Sequence, residues 1–253
     1  MTTGGQLSGR VAVVTGAGRG LGRSMALALA AAGADVALAA RSADQVRAVA
    51  DEVDALGPRG LAVPTDVTDP QAVDDLARRT LDAFGRVDIL VNNSGIIATK
   101  PLLEQSPAEW DAVYATNVRG TFLVTRAIGR HLVEQGHGKV VNVASNFAFA
   151  GVARHAAYCS SKAAVVAFTR CMAIEWARHN VQVNALAPGY FPTELNAELR
   201  ADRDALARVT RAIPARRMGE LEELVPWLVL LAGPASDFMT GETIVIDGGQ
   251  VAR

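Results

Sequence analysis

The chain has 253 residues and nearly balanced charge, with 25 lysines and arginines against 26 aspartates and glutamates and a formal net charge of -1. This balance argues against a nucleic-acid binder that works through a basic surface, and against a polybasic membrane anchor, so we expect neither partner. The composition, 50% hydrophobic and 20% charged, is that of a globular protein.

Seven short apolar segments alternate with longer helical patterns along the chain. Continuous apolar runs are typical of strands buried on both faces, and their alternation with helices predicts a parallel sheet covered on both sides. The predicted strands are Val11–Thr15, Val36–Ala40, Leu61–Thr65, Val87–Val91, Lys139–Ala144, Val181–Leu186 and Thr243–Asp247. The predicted helices are Leu21–Ala32, Ala43–Leu56, Pro70–Phe84, Pro107–Arg130, Ala156–His179 and Glu220–Leu231. We therefore expect an α/β fold, a single doubly wound Rossmann-type domain over residues 1–253 with a seven-stranded parallel sheet.

One segment interrupts this alternation between the sixth strand and the last helix. Thr193–Arg217 contains many charges of both signs and only scattered apolar residues. We predict a helical insertion on the surface. It is either a solvated helix or a small lid over a ligand site, and both interpretations stay open at this point.

A glycine-rich turn, Thr15–Gly22, joins the first predicted strand to the first predicted helix. Glycines allow the backbone to approach a pyrophosphate, and the helix N-terminus offers free N–H groups and partial positive charge. The order strand, turn, helix and second strand is the context in which such a turn binds a dinucleotide. We therefore predict a dinucleotide site here.

The end of the second strand indicates which dinucleotide binds. An acidic residue at that place would bond the adenine ribose and favour NAD, but this chain has Ala40 followed by Arg41. Arg41 can hold a 2′-phosphate through a bidentate fork, and Arg19 in the glycine turn can add a second positive charge. We predict NADP, with Asp44 as the residue that would support NAD instead.

Tyr158 and Lys162 are four residues apart at the start of a predicted helix, so their side chains share one helical face. A free phenol has a pKa of about 10, and a nearby ammonium lowers that value toward the range in which the phenol can transfer a proton. Ser145 ends the fifth predicted strand, where a sheet of this type presents groups to its ligand crevice. We expect its hydroxyl to bind the carbonyl oxygen of a substrate.

With these motifs the chain resembles the short-chain dehydrogenase/reductase family over nearly its whole length. The resemblance is carried by Thr15–Gly22, Asp66-Val67, Asn92-Asn93-Ser94-Gly95, Asn117, Ser145, Tyr158 with Lys162, Pro188–Thr193 and Asp247-Gly248-Gly249. Members of that family are NAD(P)-dependent oxidoreductases with one Rossmann-type domain, commonly homotetrameric. One departure is Ser94, where the family usually has alanine; the catalytic set is complete.

The resemblance also implies roles for individual residues. Tyr158 is the implied acid/base, and Lys162 lowers its pKa and holds the nicotinamide ribose. Ser145 orients the substrate oxygen, and Asn117 supports a water-linked proton relay to Lys162. The expected cofactor-binding residues are Gly16, Gly18, Arg19, Gly20, Leu21, Gly22, Arg41, Asp66, Val67, Asn93, Gly95, Tyr158, Lys162, Pro188, Gly189, Phe191 and Thr193. No metal site is expected.

Two branches of the family compete for the substrate. The Pro188–Leu195 stretch looks like the gluconate 5-dehydrogenases, whose arginine for a sugar-acid carboxylate is replaced here by Ile97-Ala98-Thr99. Arg154 and His155 can supply that charge instead, or they form a solvated turn. The other branch is the 3-oxoacyl-(acyl-carrier-protein) reductases, which dock an acidic carrier on exposed cations, whereas this chain has Glu134-Gln135 before the fifth strand.

The sequence therefore predicts an NADP-dependent enzyme that interconverts a ketone and a secondary alcohol, on a small polar or sugar-acid-like substrate. A non-catalytic dinucleotide sensor is a minor alternative, because a sensor would not need the complete Tyr, Lys and Ser set. Cys159 and Cys171 form no CxxC motif, and the first nine residues lack the pattern of a signal peptide. We accordingly expect a cytoplasmic protein.

Overall fold

The computed structural model of the chain describes residues 5–252; residues 1–4 and 253, the ends of the predicted domain, lie outside the described residues. Seven parallel strands form one sheet in the order β3-β2-β1-β4-β5-β6-β7. They are β1 (Val11–Thr15), β2 (Asp35–Ala40), β3 (Gly60–Pro64), β4 (Ile89–Asn92), β5 (Gly138–Val143), β6 (Val181–Pro188) and β7 (Thr243–Ile246). The predicted Rossmann-type sheet is confirmed, with strand ends shifted by one or two residues.

Nine α-helices are present in residues 5–252. They are α1 (Gly20–Ala31), α2 (Ala43–Ala55), α3 (Pro70–Phe84), α4 (Pro107–Tyr114), α5 (Thr121–Gln135), α6 (Ala156–Trp176), α7 (Ala197–Ala201), α8 (Arg203–Ala212) and α9 (Leu221–Ala232). Capping residues determine where several of these helices begin and end. For example, Asp69 caps α3 by accepting from the Gln71 amide, and Gly85 ends that helix in the left-handed conformation with φ of 76°.

The segment that the sequence predicts as one helix, Pro107–Arg130, contains a turn of π-helix at Ala115–Gly120 between α4 and α5. At the end of this turn the Thr121 hydroxyl donates to the Asn117 carbonyl at 2.8 Å. A single π turn inside a helix is a common feature of functional sites. It is formed by local backbone hydrogen bonding, which hydrophobic periodicity does not reveal.

Apolar side chains fill both faces of the sheet. Val14 of β1 packs in a layer with Met25 of α1 and Leu228 of α9, while its neighbour Val13 belongs to the layer on the other face with Ile128 of α5. Successive side chains of a strand point to opposite faces, so a strand covered on both sides needs apolar residues at every position. The continuous apolar runs in the sequence reflect this double burial.

The order of the strands places a crevice at the centre of the sheet. β1 pairs with β2 on one side and with β4 on the other. The connections from β1 and from β4 therefore leave in opposite directions, and a gap opens outside the carboxyl ends of these strands, where ligands bind in open α/β sheets. The glycine-rich turn follows β1 at this point.

The predicted insertion consists of a 3-10 turn at Glu194–Asn196 followed by α7 and α8. Neither α7 nor α8 contains a buried residue. The segment is anchored at its two ends by Phe191 and Ile213, both of which are buried. Within residues 5–252, no helix combines the length and the apolar character needed to cross a membrane.

Candidate active site

A cleft of about 940 Å³ lies at the carboxyl ends of the central strands. Its volume is in the range of about 300–1,000 Å³ that is usual for small-molecule sites. The structure brings all the expected cofactor residues to its wall: Gly16, Gly18, Arg19, Gly20, Leu21, Gly22, Arg41, Asp66, Val67, Asn93, Gly95, Tyr158, Lys162, Pro188, Gly189, Phe191 and Thr193. Ser145 lines the same cleft, whereas Asn117 does not.

The glycine-rich turn has the shape of a phosphate cradle. Gly16 has a φ of 65°, and a β-carbon on Gly22 would overlap the Gly16 carbonyl oxygen. The Asn93 side chain donates to the carbonyl oxygens of Thr15 (3.0 Å) and Gly16 (3.2 Å) and so ties the turn to the end of β4. The N-terminus of α1 has no side-chain cap and no acidic residue in its first turn. Its free N–H groups and partial positive charge therefore suit a pyrophosphate.

Two arginines stand at the end of the cleft beyond β2. Arg19 and Arg41 line the cleft and are exposed, and neither forms an ion pair with another residue in the range 5–252. Asp66 accepts from the Thr68 amide at 2.9 Å and from its hydroxyl at 2.8 Å. These bonds, with a smaller contribution from Arg41, lower the pKa of the Asp66 carboxyl. Without an ion pair in the described chain, the two guanidinium groups are available to bind negative charge on a ligand.

Asp44, the alternative residue for NAD, lies away from this end of the cleft. Its side chain is 97% exposed and pairs with Arg47 at 3.4 Å on the surface of α2. It is not among the residues that line the cleft. From this part of the chain, Ser42 and Gln45 line the cleft instead, and neither carries a negative charge. The geometry therefore favours a nucleotide with a phosphate on its adenine ribose.

Ser145, Tyr158 and Lys162 meet at the other end of the cleft. Ser145 lies two residues after the end of β5, and its hydroxyl oxygen accepts from the Phe147 amide at 3.2 Å. Tyr158 and Lys162 stand on the first two turns of α6, with exposed fractions of only 9% and 4%. The Ser145 hydroxyl lies close enough to the Tyr158 phenol to act on its pKa, which it lowers against the larger effect of burial. A carbonyl oxygen placed here can contact both hydroxyl groups, which is the arrangement that proton transfer needs.

The pKa of the Tyr158 phenol in the chain by itself lies above its ordinary value. Burial raises it to about 12, and the Ser145 hydroxyl acts in the opposite direction. The Lys162 ammonium lies 5.8 Å from the centre of the Tyr158 ring. Desolvation is the largest effect on this phenol, because a buried phenolate loses its hydration.

The Lys162 ammonium is itself buried and held by the backbone. It donates to the Val143 carbonyl oxygen at 2.6 Å. Burial lowers its pKa to about 8, because a cation is poorly solvated in this position. The ammonium therefore remains largely charged at neutral pH and is fixed at the floor of the cleft.

Asn117 lies behind the cleft wall, in the π turn. Its side-chain oxygen accepts from the Ile96 amide at 2.8 Å, and its side-chain nitrogen donates to the Ile96 carbonyl and to Ser161, both at 3.0 Å. A β-carbon on Gly95 would lie 3.4 Å from the Asn117 oxygen and 3.5 Å from the Lys162 ammonium. Asn117 and Lys162 thus converge on Gly95. Ser161 is a partner that the sequence analysis missed, because only the helix packing brings it to Asn117.

The substrate end of the cleft is mostly apolar. Its walls include Ile96, Ile97, Phe147, Tyr190 and Phe191, with Asn146 as a polar member. Arg154 and His155, which the sequence offered as a charged pair for the substrate, do not line the cleft. Sequence reasoning missed Gln250, whose side-chain oxygen accepts from Asn146 at 2.9 Å, and Glu194 and Asn196, which line the cleft from the insertion.

Comparison with known proteins is consistent with this geometry. A 2-dehydro-3-deoxy-D-gluconate 5-dehydrogenase from Escherichia coli (strain K12) is 42% identical over 98% of this chain and 97% of its own. A 3-oxoacyl-(acyl-carrier-protein) reductase from Synechocystis is 39% identical over 97% of this chain and 98% of its own. A gluconate 5-dehydrogenase from Burkholderia cenocepacia was solved in complex with NADP and tartrate. It is 36% identical and superposes with a TM-score of 0.94 over 98% of this chain and 97% of its own. Residues 10–204 match the family described as short chain dehydrogenase, and the chain belongs to this family of oxidoreductases.

Proposed function

We propose that the protein is an NADP(H)-dependent oxidoreductase that interconverts the ketone and the secondary alcohol of a small sugar acid or a similarly polar compound. One observation carries this proposal: a single cleft holds Ser145, Tyr158 and Lys162 at one end and the unpaired Arg19 and Arg41 at the other. A similar protein from Burkholderia was solved with NADP and tartrate, a small hydroxy acid.

In the proposed mechanism, NADPH held in this cleft would supply the hydride for the carbonyl carbon. Ser145 holds the carbonyl oxygen, and Tyr158 donates a proton to that oxygen as it gains charge. Lys162 holds the nicotinamide ribose and keeps a positive charge near the phenol. We also propose that Asn117 supports a water that carries protons to Lys162, since both side chains converge on Gly95.

We assign the cofactor contacts from their places along the cleft. The glycine turn and the N-terminus of α1 face the pyrophosphate, and Asp66 and Val67 frame the adenine. Asn93 and Gly95 border the middle of the cleft. Phe191 and Thr193, with the Pro188-Gly189 turn, border its nicotinamide end. The cradle without side chains at Gly16 and Gly22 supports these assignments.

Arg41→Ala is expected to lower kcat/KM for NADPH by about 10–100-fold and to leave the value for NADH nearly unchanged. The reason is that one charge-assisted contact to a phosphate contributes about 1.5–3 kcal/mol. Steady-state kinetics with both nucleotides measures the effect. Arg47→Ala is the matched control, because Arg47 is exposed on α2 and pairs with Asp44. An equal loss with both nucleotides in Arg41→Ala would contradict the assignment.

The substrate class is tested by a turnover screen with keto sugar acids, neutral polyols and β-ketoacyl thioesters, each with NADPH. We expect the keto sugar acids to give the highest kcat/KM. The second candidate, a reductase of carrier-bound 3-oxoacyl groups, is supported by the Synechocystis relative. It predicts a preference for carrier-linked substrates that disappears with added salt, because docking of an acidic carrier depends on charge. Such a preference would reverse our ranking.

We further propose a homotetramer built from one single-domain subunit. Two separate exposed apolar surfaces support it: Phe122 and Ile174 on α5 and α6, and Trp227, Phe238 and Val245 around α9 and β7. β7 is also the edge of the sheet, where unpaired backbone groups can be covered by another copy. Two distinct self-associating surfaces generate a tetramer.

We also propose a cytoplasmic location, because the free thiols of Cys159 and Cys171 fit a reducing compartment.

A further inference from the structure

Glu194 places a carboxylate beside the glycine-rich turn. A β-carbon built on Gly20 would lie 2.9 Å from the Glu194 Oε2 atom and 3.6 Å from the Thr193 β-carbon. Gly20 is the first residue of α1 and has a φ of 54°. Glu194 also lines the cleft, although it belongs to the insertion that follows β6. The carboxylate therefore reaches across the cleft from the insertion to the start of α1.

Nothing in the described part of the chain neutralises this carboxylate. Glu194 forms no side-chain hydrogen bond and no ion pair with another residue of the range 5–252, whereas the nearby Asn196 bonds the Thr193 amide at 3.1 Å and the Phe191 carbonyl at 2.7 Å. The Glu194 carboxylate lies beside the N-terminus of α1, and the first turn of that helix contains no acidic residue. A negative charge is favourable at this end of a helix.

The same place must receive the pyrophosphate of a dinucleotide. The pyrophosphate carries negative charge and binds through the free N–H groups at the start of α1. The Glu194 carboxylate and the pyrophosphate would repel each other at a separation of a few ångströms. The carboxylate must therefore move away from the N-terminus of α1 when the nucleotide binds. The insertion allows this movement, because α7 and α8 contain no buried residue.

We propose that Glu194 sets the affinity of the enzyme for its dinucleotide by competing with the pyrophosphate for the N-terminus of α1. This inference rests on the proposed NADP(H)-dependent function. The competition favours release of the spent nucleotide, because the carboxylate takes the place of the pyrophosphate as it leaves. It acts equally on NADP(H) and NAD(H), since both carry the same pyrophosphate, and in this respect Glu194 differs from Arg41.

The test is equilibrium binding of NADPH and of NADH, measured by nucleotide fluorescence in the full-length protein and in Glu194→Gln. Removing one like charge at this distance is expected to tighten binding of both nucleotides by the same factor, about fivefold. Added salt is expected to shrink the factor, because it screens the repulsion. Glu194→Ala is expected to act in the same direction, since it also removes the charge.

Glu198→Gln is the matched control, because Glu198 is an exposed carboxylate on α7 that does not line the cleft; its binding constants should equal those of the unmodified protein. Unchanged or weaker binding in Glu194→Gln would overturn the inference, and weaker binding would make Glu194 a direct ligand of the nucleotide. An unmodified protein that binds neither nucleotide would overturn the proposed function and this inference with it. Tight binding without an effect of Glu194→Gln would overturn the inference alone.

Discussion

Tyr158→Phe is expected to lower kcat by about 10²–10⁴-fold while leaving the affinity for NADPH nearly unchanged, because a general acid contributes a factor of this size. The phenol is the group best placed to protonate a carbonyl oxygen in the cleft, because it lines the cleft together with the Ser145 hydroxyl. Phenylalanine keeps the ring and its edge-on contact with Phe147, so only the proton donor is lost. Steady-state turnover and nucleotide binding, measured on the same preparation, separate the two effects.

The pH dependence of the two directions follows from the same group. With the pKa of Tyr158 raised to about 12 by burial, the phenol stays protonated at neutral pH. Ketone reduction needs the protonated form, so its rate is expected to be nearly constant around neutral pH. Alcohol oxidation needs the phenolate, so its rate is expected to rise with pH.

Tyr114→Phe is the control for Tyr158→Phe, since Tyr114 stacks on Trp110 outside the cleft. Turnover retained in Tyr158→Phe would refute the assignment.

Lys162→Arg is expected to lower kcat by roughly 10²-fold although it conserves the charge. The Lys162 ammonium is buried and fits between the Val143 carbonyl, at 2.6 Å, and the backbone at Gly95. A planar guanidinium is larger and spreads its charge over a fork, so it overfills this space at a cost of about 1–3 kcal/mol. The displaced charge no longer lies beside the ribose and the phenol.

Lys100→Arg is the matched control for this substitution. Lys100 is half-exposed and pairs with Glu109 at 3.0 Å, a contact that arginine can also make. We expect full activity in this variant. Circular dichroism and NADPH binding would show whether Lys162→Arg is folded. A folded Lys162→Arg enzyme with the turnover of the unmodified protein would contradict the role of the compact ammonium.

Much of the fold could be predicted because each strand is covered on both faces. Val13 and Val14 serve opposite layers, so the chain needs apolar residues at every strand position and the strands stand out in the sequence. The glycine turn was equally recognisable, since Gly22 lies against the Gly16 carbonyl and admits no side chain. The π turn at Asn117 could not be recognised in the sequence, because it replaces one helical hydrogen-bond pattern by another without changing the spacing of apolar residues.

The residues of the site were predictable to the extent that they lie at ends of elements. Ser145 follows a strand at the ligand crevice and the spacing of four places Tyr158 and Lys162 on one helical face, while the resemblance to the family implies that the three act together. Glu194 has no such signal: its nearness to Gly20 depends on how the insertion folds back over α1. The partnership of Asn146 with Gln250 joins residues 104 positions apart and is likewise invisible in the sequence.

The sequence by itself determined the sheet, the glycine turn, the position of Arg41 and the Ser145, Tyr158 and Lys162 set, because each depends on local spacing or on burial that the residue pattern records. The tertiary structure alone decided the electrostatics. It showed that burial raises the pKa of Tyr158, and that Glu194 lines the cleft while Asp44 does not. A charge acts through its distance and its desolvation, and both are set by elements that come together only when the chain has folded.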